Sequence, residues 1–170
     1  MIYNLISPEY LKLQRMAHDI EPSYGTMSKN LVGVAAEIIE NYKAKSVLDY
    51  GCGKGELKKA LGDIVSEYDP AIPGKDAEPK VADVVFCTDV LEHIEPDKLE
   101  AVLNYMEGLA RKMAFLTVAL IPATKTLDDG RNAHLIVKPQ QWWLDALLDH
   151  WDMTAYSGTN KGFVFMGVPK

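Results

Sequence analysis

The stretch Val47-Leu48-Asp49-Tyr50-Gly51-Cys52-Gly53-Lys54-Gly55 joins a short β-favouring run to three closely spaced glycines. Ahead of a helix, such a turn lets the backbone come closer to a ligand than any β-carbon permits. Glycines alone are weak evidence; their position between a legible strand and a legible helix is what marks a ligand site. Asp69 stands 20 residues after Asp49, at the end of the next predicted strand. An ionised carboxylate only accepts hydrogen bonds, so it suits the two hydroxyls of a ribose and repels a phosphate placed there. The spacing fits a dinucleotide or another adenosine cofactor.

Two histidines could move a proton. His93 follows Asp89 and Glu92 at the carboxyl end of a predicted strand, where ligands gather in open α/β sheets. His134 sits in a polar loop beside Arg131 and Asn132, at the same rim, and is the first choice for a general base. Plainer readings compete with these. Asp69 precedes Pro70 and could be a turn aspartate. Asp89 and Glu92 could be first-turn carboxylates, His93 a packing residue, and the Arg131 trio a solvated loop. His18 and His150 carry no motif and read as surface residues. Trp142, Trp143 and Trp151 read as helix-packing residues, and Cys52 as a small packing residue in the turn. Cys87 precedes Thr88 and lacks the setting of a nucleophile.

The elements that must position these residues alternate in type. After Pro8, residues 10–16 predict a short helix closed by Pro22. Apolar residues recur at helical spacing from Leu31 to Tyr42, with Ser28 as an N-cap. Residues 46–50 and 64–68 predict strands, with a helix over 56–61 between them. Residues 71–80, holding Pro73, Gly74 and Pro79, predict a loop. Residues 81–87 are almost continuously apolar, as in a strand covered on both faces. Pro96 is placed to open a helix running to about Lys112, with Leu99, Val102, Leu103, Met106 and Leu109 as its apolar stripe. A buried strand follows from Met113 to Ile121, then a helix from Pro139 to His150 and closing strands over 151–156 and 163–168. Strands alternating with helices predict an α/β fold with a largely parallel sheet.

The chain has 170 residues, 48% of them hydrophobic and 25% charged, which predicts one well-packed domain and excludes a disordered chain. Its net charge of −6 argues against an extended nucleic-acid footprint. Two cysteines make no disulfide framework, and no run approaches the roughly 20 apolar residues that cross a bilayer. The first residues lack the basic segment of a signal peptide, so a cytoplasmic location is expected.

Two motifs carry a resemblance. Leu48-Asp49-Tyr50-Gly51-Cys52-Gly53-Lys54-Gly55 resembles the first motif of the class I S-adenosylmethionine-dependent methyltransferases, which reads acid, any, Gly, any, Gly, any, Gly. Cys87-Thr88-Asp89-Val90-Leu91-Glu92-His93-Ile94 is similar to the family's later motif, with Asp69 at the expected place between them. The pattern covers roughly residues 28–168, and the run from Asp128 to Ile136 followed by Pro139 and Trp142-Trp143 resembles small stand-alone bacterial and phage members. The resemblance implies a Rossmann-like sheet with helices on both faces and a terminal antiparallel strand, and S-adenosylmethionine as cofactor. Asp49, Gly51, Gly53 and Gly55 would hold its amino-acid end and Asp69 its ribose. Asp89 and Leu91 would line the pocket floor near the methyl group. The family's third strand is shortened or missing between Asp69 and Val81. Asp76 and Asp83 are poor substitutes for its adenine-contacting acid.

Residues 1–27 are expected to form an N-terminal helical segment that could close over the cofactor, and residues 28–170 the methyltransferase domain. The activity implied is methyl transfer to an oxygen or nitrogen of a small-molecule or nucleotide-like acceptor, with no metal required. The Asn/Asp-Pro-Pro-aromatic motif of exocyclic-amine methyltransferases is absent, which argues further against nucleic acid. Two rivals stand beside this. A nicotinamide-dependent oxidoreductase wants Gly-x-Gly-x-x-Gly, but Glu56 occupies the third glycine position. A non-catalytic binding or partner subunit could keep the fold without activity.

Overall fold

The computed structural model describes residues 5–21 and 24–170; the expected helix stop at Pro22 lies outside them. Helix α1 (Pro8–Ile20) begins with Pro at its first turn and is capped by Ser7, whose hydroxyl accepts from the Tyr10 amide at 3.1 Å. It runs four residues beyond the expected end at Met16. A 3-10 turn over Met27–Leu31 then leads into α2 (Val32–Asn41). Ser28 is buried inside that turn and does not cap α2, which starts later than its apolar spacing implies.

Strand β1 (Val47–Tyr50), α3 (Glu56–Leu61) and β2 (Val65–Tyr68) form the first strand–turn–helix–strand unit. Residues 69–81 contain no strand, so the expected gap is real: the chain turns back by the bonds Asp69 N to Lys75 O and Lys75 N to Ile72 O, each 2.9 Å. Strand β3 (Ala82–Thr88) is buried along its whole length. Pro96 does not open the next helix; residues 96–98 are turn, and α4 spans Leu99–Leu109 with the expected apolar stripe. Strand β4 (Ala110–Ala119) starts three residues early because Ala110 pairs with Ala82. Helix α5 (Gln140–Leu148), β5 (Trp151–Gly158) and β6 (Gly162–Pro169) complete the chain.

The sheet order is β2-β1-β3-β4-β6-β5. The first four strands are parallel, and β6 runs antiparallel between β4 and β5. Alternate strand residues feed the two faces. Leu48, Val85 and Leu116 meet α4 and α5 on one face, while Val47, Val84 and Phe115 meet α2 and α3 on the other. Parallel strands end at one edge, so the turns after β1, β2, β3 and β4 are forced together there. The sheet switches direction at β1, which has β2 on one side and β3 on the other; such a point favours ligand binding.

Three polar residues are more buried than their types suggest. His150 is 4% exposed because its Nδ1 lies 3.0 Å from Glu107 Oε2 on α4, and His18 is buried beside Asp69. Both correct the expectation of surface histidines. Asp49 is wholly buried, and neither of its oxygens has a hydrogen-bond partner among the described residues.

Two stability measurements follow from this packing. Leu103, fully buried on α4, should lose about 2–5 kcal/mol of urea-unfolding stability on truncation to Ala. Burial, reinforced by Glu67 and opposed by Lys75, pushes the Asp49 carboxyl up to about 7 from 3.8. Between those values the folded chain holds a proton the unfolded chain has lost, so ionisation destabilises the ligand-free fold as pH rises. Asp49→Asn should therefore melt progressively above the natural chain from about pH 4 to about pH 7. A pH-independent gap would contradict this placement.

Candidate functional site

A cavity of about 720 Å³ opens at the carboxyl edge of the parallel strands. That is within the usual range for small-molecule pockets. Gly51, Gly53 and Asp69 line it from the ends of β1 and β2, Asp89 and His93 from beyond β3, and His134 from the segment after β4. Helix α1 closes the remaining side with Tyr10, Gln14 and His18. Asp49 lies within the fold, outside the cavity wall, and Gly55 packs against Glu67 and Lys75 at the start of α3. Leu91, expected at the floor, is fully buried in the core cluster with α4 and is not part of the wall.

The glycine turn is tight for stated reasons. Gly51 and Gly53 have φ of 73° and 51°; a β-carbon on Gly51 would strike Val90, and one on Gly53 would strike the backbone of Gly25. Every amide of the turn already has a partner. Gly51 and Cys52 donate to Tyr68 O, Gly53 to Asp69 Oδ2, Lys54 to Gly25 O, and Gly55 to Cys52 O, all at 2.8–3.0 Å. None is left to cradle a pyrophosphate, which removes the physical basis of the dinucleotide reading. Behind the turn, Asp49, Glu67 and Asp69 lie close enough to act on one another, and Lys75 is paired with Glu67 at 2.9 Å. Burial also pushes the Cys52 thiol well up, consistent with a packing role.

Asp69 is held at both oxygens, by the Gly53 amide at 3.0 Å and the Ala71 amide at 2.9 Å. Each carboxylate oxygen accepts more than one bond, so the side chain is oriented yet not saturated. His18 Nε2 stands 3.9 Å from Asp69 Oδ2, and burial lowers the pKa of this imidazole. Asp83 and Asp76 do not reach the cavity: Asp83 binds the Lys45 amide at 2.8 Å at the opposite end of β3, and Asp76 pairs with Arg15.

Asp89 has φ of 60°, a left-handed conformation that aspartate tolerates better than most residues. Its amide donates to Thr117 Oγ1 at 3.0 Å, which fixes the turn after β3 against β4. His93 follows in a 3-10 turn over Leu91–His93. Burial and the neighbouring His134 lower its pKa to about 4, so the ring is neutral at ordinary pH. The His93 and His134 rings meet edge-on with centroids 4.7 Å apart. His134 Nδ1 lies 2.6 Å from the carbonyl oxygen of Ile121. A carbonyl only accepts, so Nδ1 carries the proton and Nε2 keeps a free lone pair. Asp89, His93 and His134 bring one potential ligand atom each within 4.8 Å of one another.

Several residues have positioning roles that the sequence did not reveal. Glu92 is wholly buried; its Oε1 accepts from the Ala119 amide at 2.6 Å, and its carbonyl accepts from the Ile136 amide at 3.0 Å. Tyr10 donates to the His93 carbonyl at 2.6 Å, Gln14 donates to Tyr10 at 2.7 Å, and Tyr24 donates to Gln14 at 2.9 Å. Burial pushes the Tyr24 hydroxyl up to about 12. Tyr10 and Gln14 are one helical turn apart, a spacing visible in the sequence without its long-range partner. Asn132 proves to be a brace: its side chain bonds Ala123 in both directions and receives the His134 amide at 3.0 Å. Arg131 pairs with Asp129 and lies over the Tyr10 ring, so of this trio only His134 lines the cavity.

No protein-family model matches the chain, and no curated protein does. Solved structures do. One is a 1,6-didemethyltoxoflavin N1-methyltransferase from Burkholderia thailandensis with bound 1,6-didemethyltoxoflavin and S-adenosylhomocysteine. It is 16% identical, with a TM-score of 0.63 over 95% of this chain and 89% of that one. Another is the magnesium protoporphyrin IX methyltransferase of Synechocystis PCC 6803 with bound S-adenosylhomocysteine, 16% identical, TM-score 0.59, over 95% and 86%. TehB from Haemophilus influenzae is 12% identical with a TM-score of 0.62; the match takes in 81% of this chain but 62% of that one. The sheet order, the turn after β1 and these likenesses together give the chain the class I methyltransferase fold.

Proposed function

We propose that the protein transfers a methyl group from S-adenosylmethionine to an oxygen or nitrogen of a small-molecule or nucleotide-like acceptor. One observation carries the reading: the cavity pairs a glycine turn whose amides are all taken with Asp69 at its wall and Asp49 and Glu67 behind it. With no turn amide free to hold a phosphate, Asp69 at the wall suits a ligand bearing a diol and positive charge. The residues present fit that cofactor. The orphaned, buried Asp49 behind the turn can ionise when a cationic guest binds, and Asp69 offers free lone pairs to a diol. Neighbours of this fold bind S-adenosylmethionine or its product.

When bound, S-adenosylmethionine supplies an electrophilic methyl group, so the chain's main task is to align the acceptor and exclude water. Alignment of that kind can lower a barrier by about 7–11 kcal/mol in favourable cases. Helix α1 and the segment after β4 pack on each other through Ile6, Tyr10, Leu127 and Ala133 and cover the cavity. His134 Nε2 is the group placed to take a proton from an acceptor that must lose one. The limited volume and the negative charge favour a small acceptor over a nucleic-acid strand.

Isothermal titration with S-adenosylmethionine and S-adenosylhomocysteine tests the reading, and both should bind at one per chain. Asp69→Ala should weaken both by about 10–100-fold, the worth of charge-assisted hydrogen bonds to one side chain. Unchanged affinity would refute the ribose assignment, and no binding below about millimolar would refute the cofactor. Product release in the presence of candidate acceptors then separates a working enzyme from a binding subunit.

A further inference from the structure

The rim formed by the turn after β3 and the segment after β4 holds a donor set that methyl transfer by alignment alone does not need. Asp89, His93 and His134 come from two separate segments, yet their ligand atoms lie within 4.8 Å of one another. Among the described residues, no hydrogen bond joins these three side chains to each other. His134 has its Nδ1 engaged by the Ile121 carbonyl at 2.6 Å, which turns the lone pair of Nε2 outward. A backbone carbonyl on the far nitrogen is the usual outer support of a metal-binding imidazole. On His93, Nδ1 lies 3.4 Å from the Tyr24 hydroxyl.

A second observation lies behind the cluster. Glu92 is wholly buried, one of its oxygens has no partner among the described residues, and its carboxyl is close enough to that of Asp89 for the two to act on each other. Among the described residues no ammonium or guanidinium is paired to Asp89, so its side chain and the two imidazoles face the cavity with no cation between them.

We propose that Asp89, His93 and His134 form a binding site for a divalent first-row transition-metal cation at the acceptor end of the cavity. Two imidazoles and one carboxylate favour ions such as Zn²⁺ or Co²⁺ over Mg²⁺ or Ca²⁺, which prefer all-oxygen sites. Ligand bonds of about 2.0–2.2 Å bring neighbouring donor atoms to about 3–3.5 Å apart. The three atoms therefore close by roughly an ångström on binding, a movement open to half-buried side chains. Three protein ligands leave coordination positions free, and these face the cavity that all three residues line. A hydroxyl, enolate or carboxylate oxygen of the acceptor can take one of them. A cation there would make that oxygen more acidic and fix its direction, taking over the proton-accepting task of the His134 Nε2. The ion site stands independently of the methyl-transfer reading, because the three side chains can bind a cation whichever cofactor fills the rest of the cavity.

The test uses full-length, tag-free protein stripped with EDTA and titrated with Co²⁺. Visible absorption reports the coordination, and calorimetry with Zn²⁺ reports the stoichiometry. One ion per chain is expected, with Zn²⁺ and Co²⁺ far tighter than Mg²⁺ and a melting temperature that rises with metal concentration. His134→Gln and Asp89→Asn should each weaken binding by about 100-fold or more, since even outer supports of metal ligands are worth 10–100-fold. Circular dichroism confirms that each variant is folded, and His134 lies on a loop outside the core clusters. No saturable binding at one per chain overturns the proposal, as does binding that survives both substitutions undiminished. S-adenosylhomocysteine titrated into the stripped and loaded samples reports the cofactor site separately, so either reading can fail alone.

Discussion

The Glu92 carboxyl reaches from the turn after β3 to the Ala119 amide at the end of β4, 2.6 Å away, while its own backbone carbonyl receives the Ile136 amide at 3.0 Å. One buried residue thereby ties together three segments that are distant in the chain, and each carries part of the cavity rim. His93 is its sequence neighbour, and His134 lies two residues from its amide partner. Burying an acidic side chain in the middle of a domain is costly; here burial holds the Glu92 carboxyl well above the usual carboxylate range, and one of its oxygens is engaged. That expenditure makes sense where a rim must keep its shape while its centre stays open. Tyr10 adds the fourth segment, donating to the His93 carbonyl and so fastening α1 to the same turn.

The other side of the cavity follows a different logic. Parallel strands bring their carboxyl ends to one edge, and the turn after β1 reaches that edge with its amides consumed internally. In a phosphate-binding turn those donors would face the ligand. Here the turn offers shape, while Asp69 at the wall, with Asp49 behind it, offers acceptors and no free donor amide. The same fold architecture can thus be set for an anionic or a cationic guest by deciding where the amide hydrogens go.

Much of this was legible in the residues themselves. The run from Val47 to Gly55, the apolar β3 and the stripe of α4 each carry local signals of period and turn chemistry, and the missing strand between Asp69 and Val81 showed in Pro73, Gly74 and Pro79. What stayed hidden depends on partners far along the chain. Glu92 finds Ala119 across 27 positions, His150 finds Glu107 across 43, and His18 meets Asp69 across an entire strand–helix–strand unit. A sequence read locally assigns such polar residues to the surface. Leu91 was drawn toward the cavity by its motif, but the 3-10 turn sends it into the core. Pro96 has the composition of a helix start, yet it lies in a three-residue turn, 96–98, that precedes α4.

The central claim is that a cationic adenosine cofactor lies across the carboxyl ends of β1, β2 and β3 with its reacting end toward the two histidines. The most direct measurement is the crystal structure of the protein grown with S-adenosylhomocysteine. The account predicts the ribose hydroxyls on Asp69, the amino-acid end over the turn at Gly51 and Gly53, and the sulfur facing the rim of Asp89, His93 and His134. Density for the ligand outside this cavity, or with its ribose away from Asp69, would contradict it.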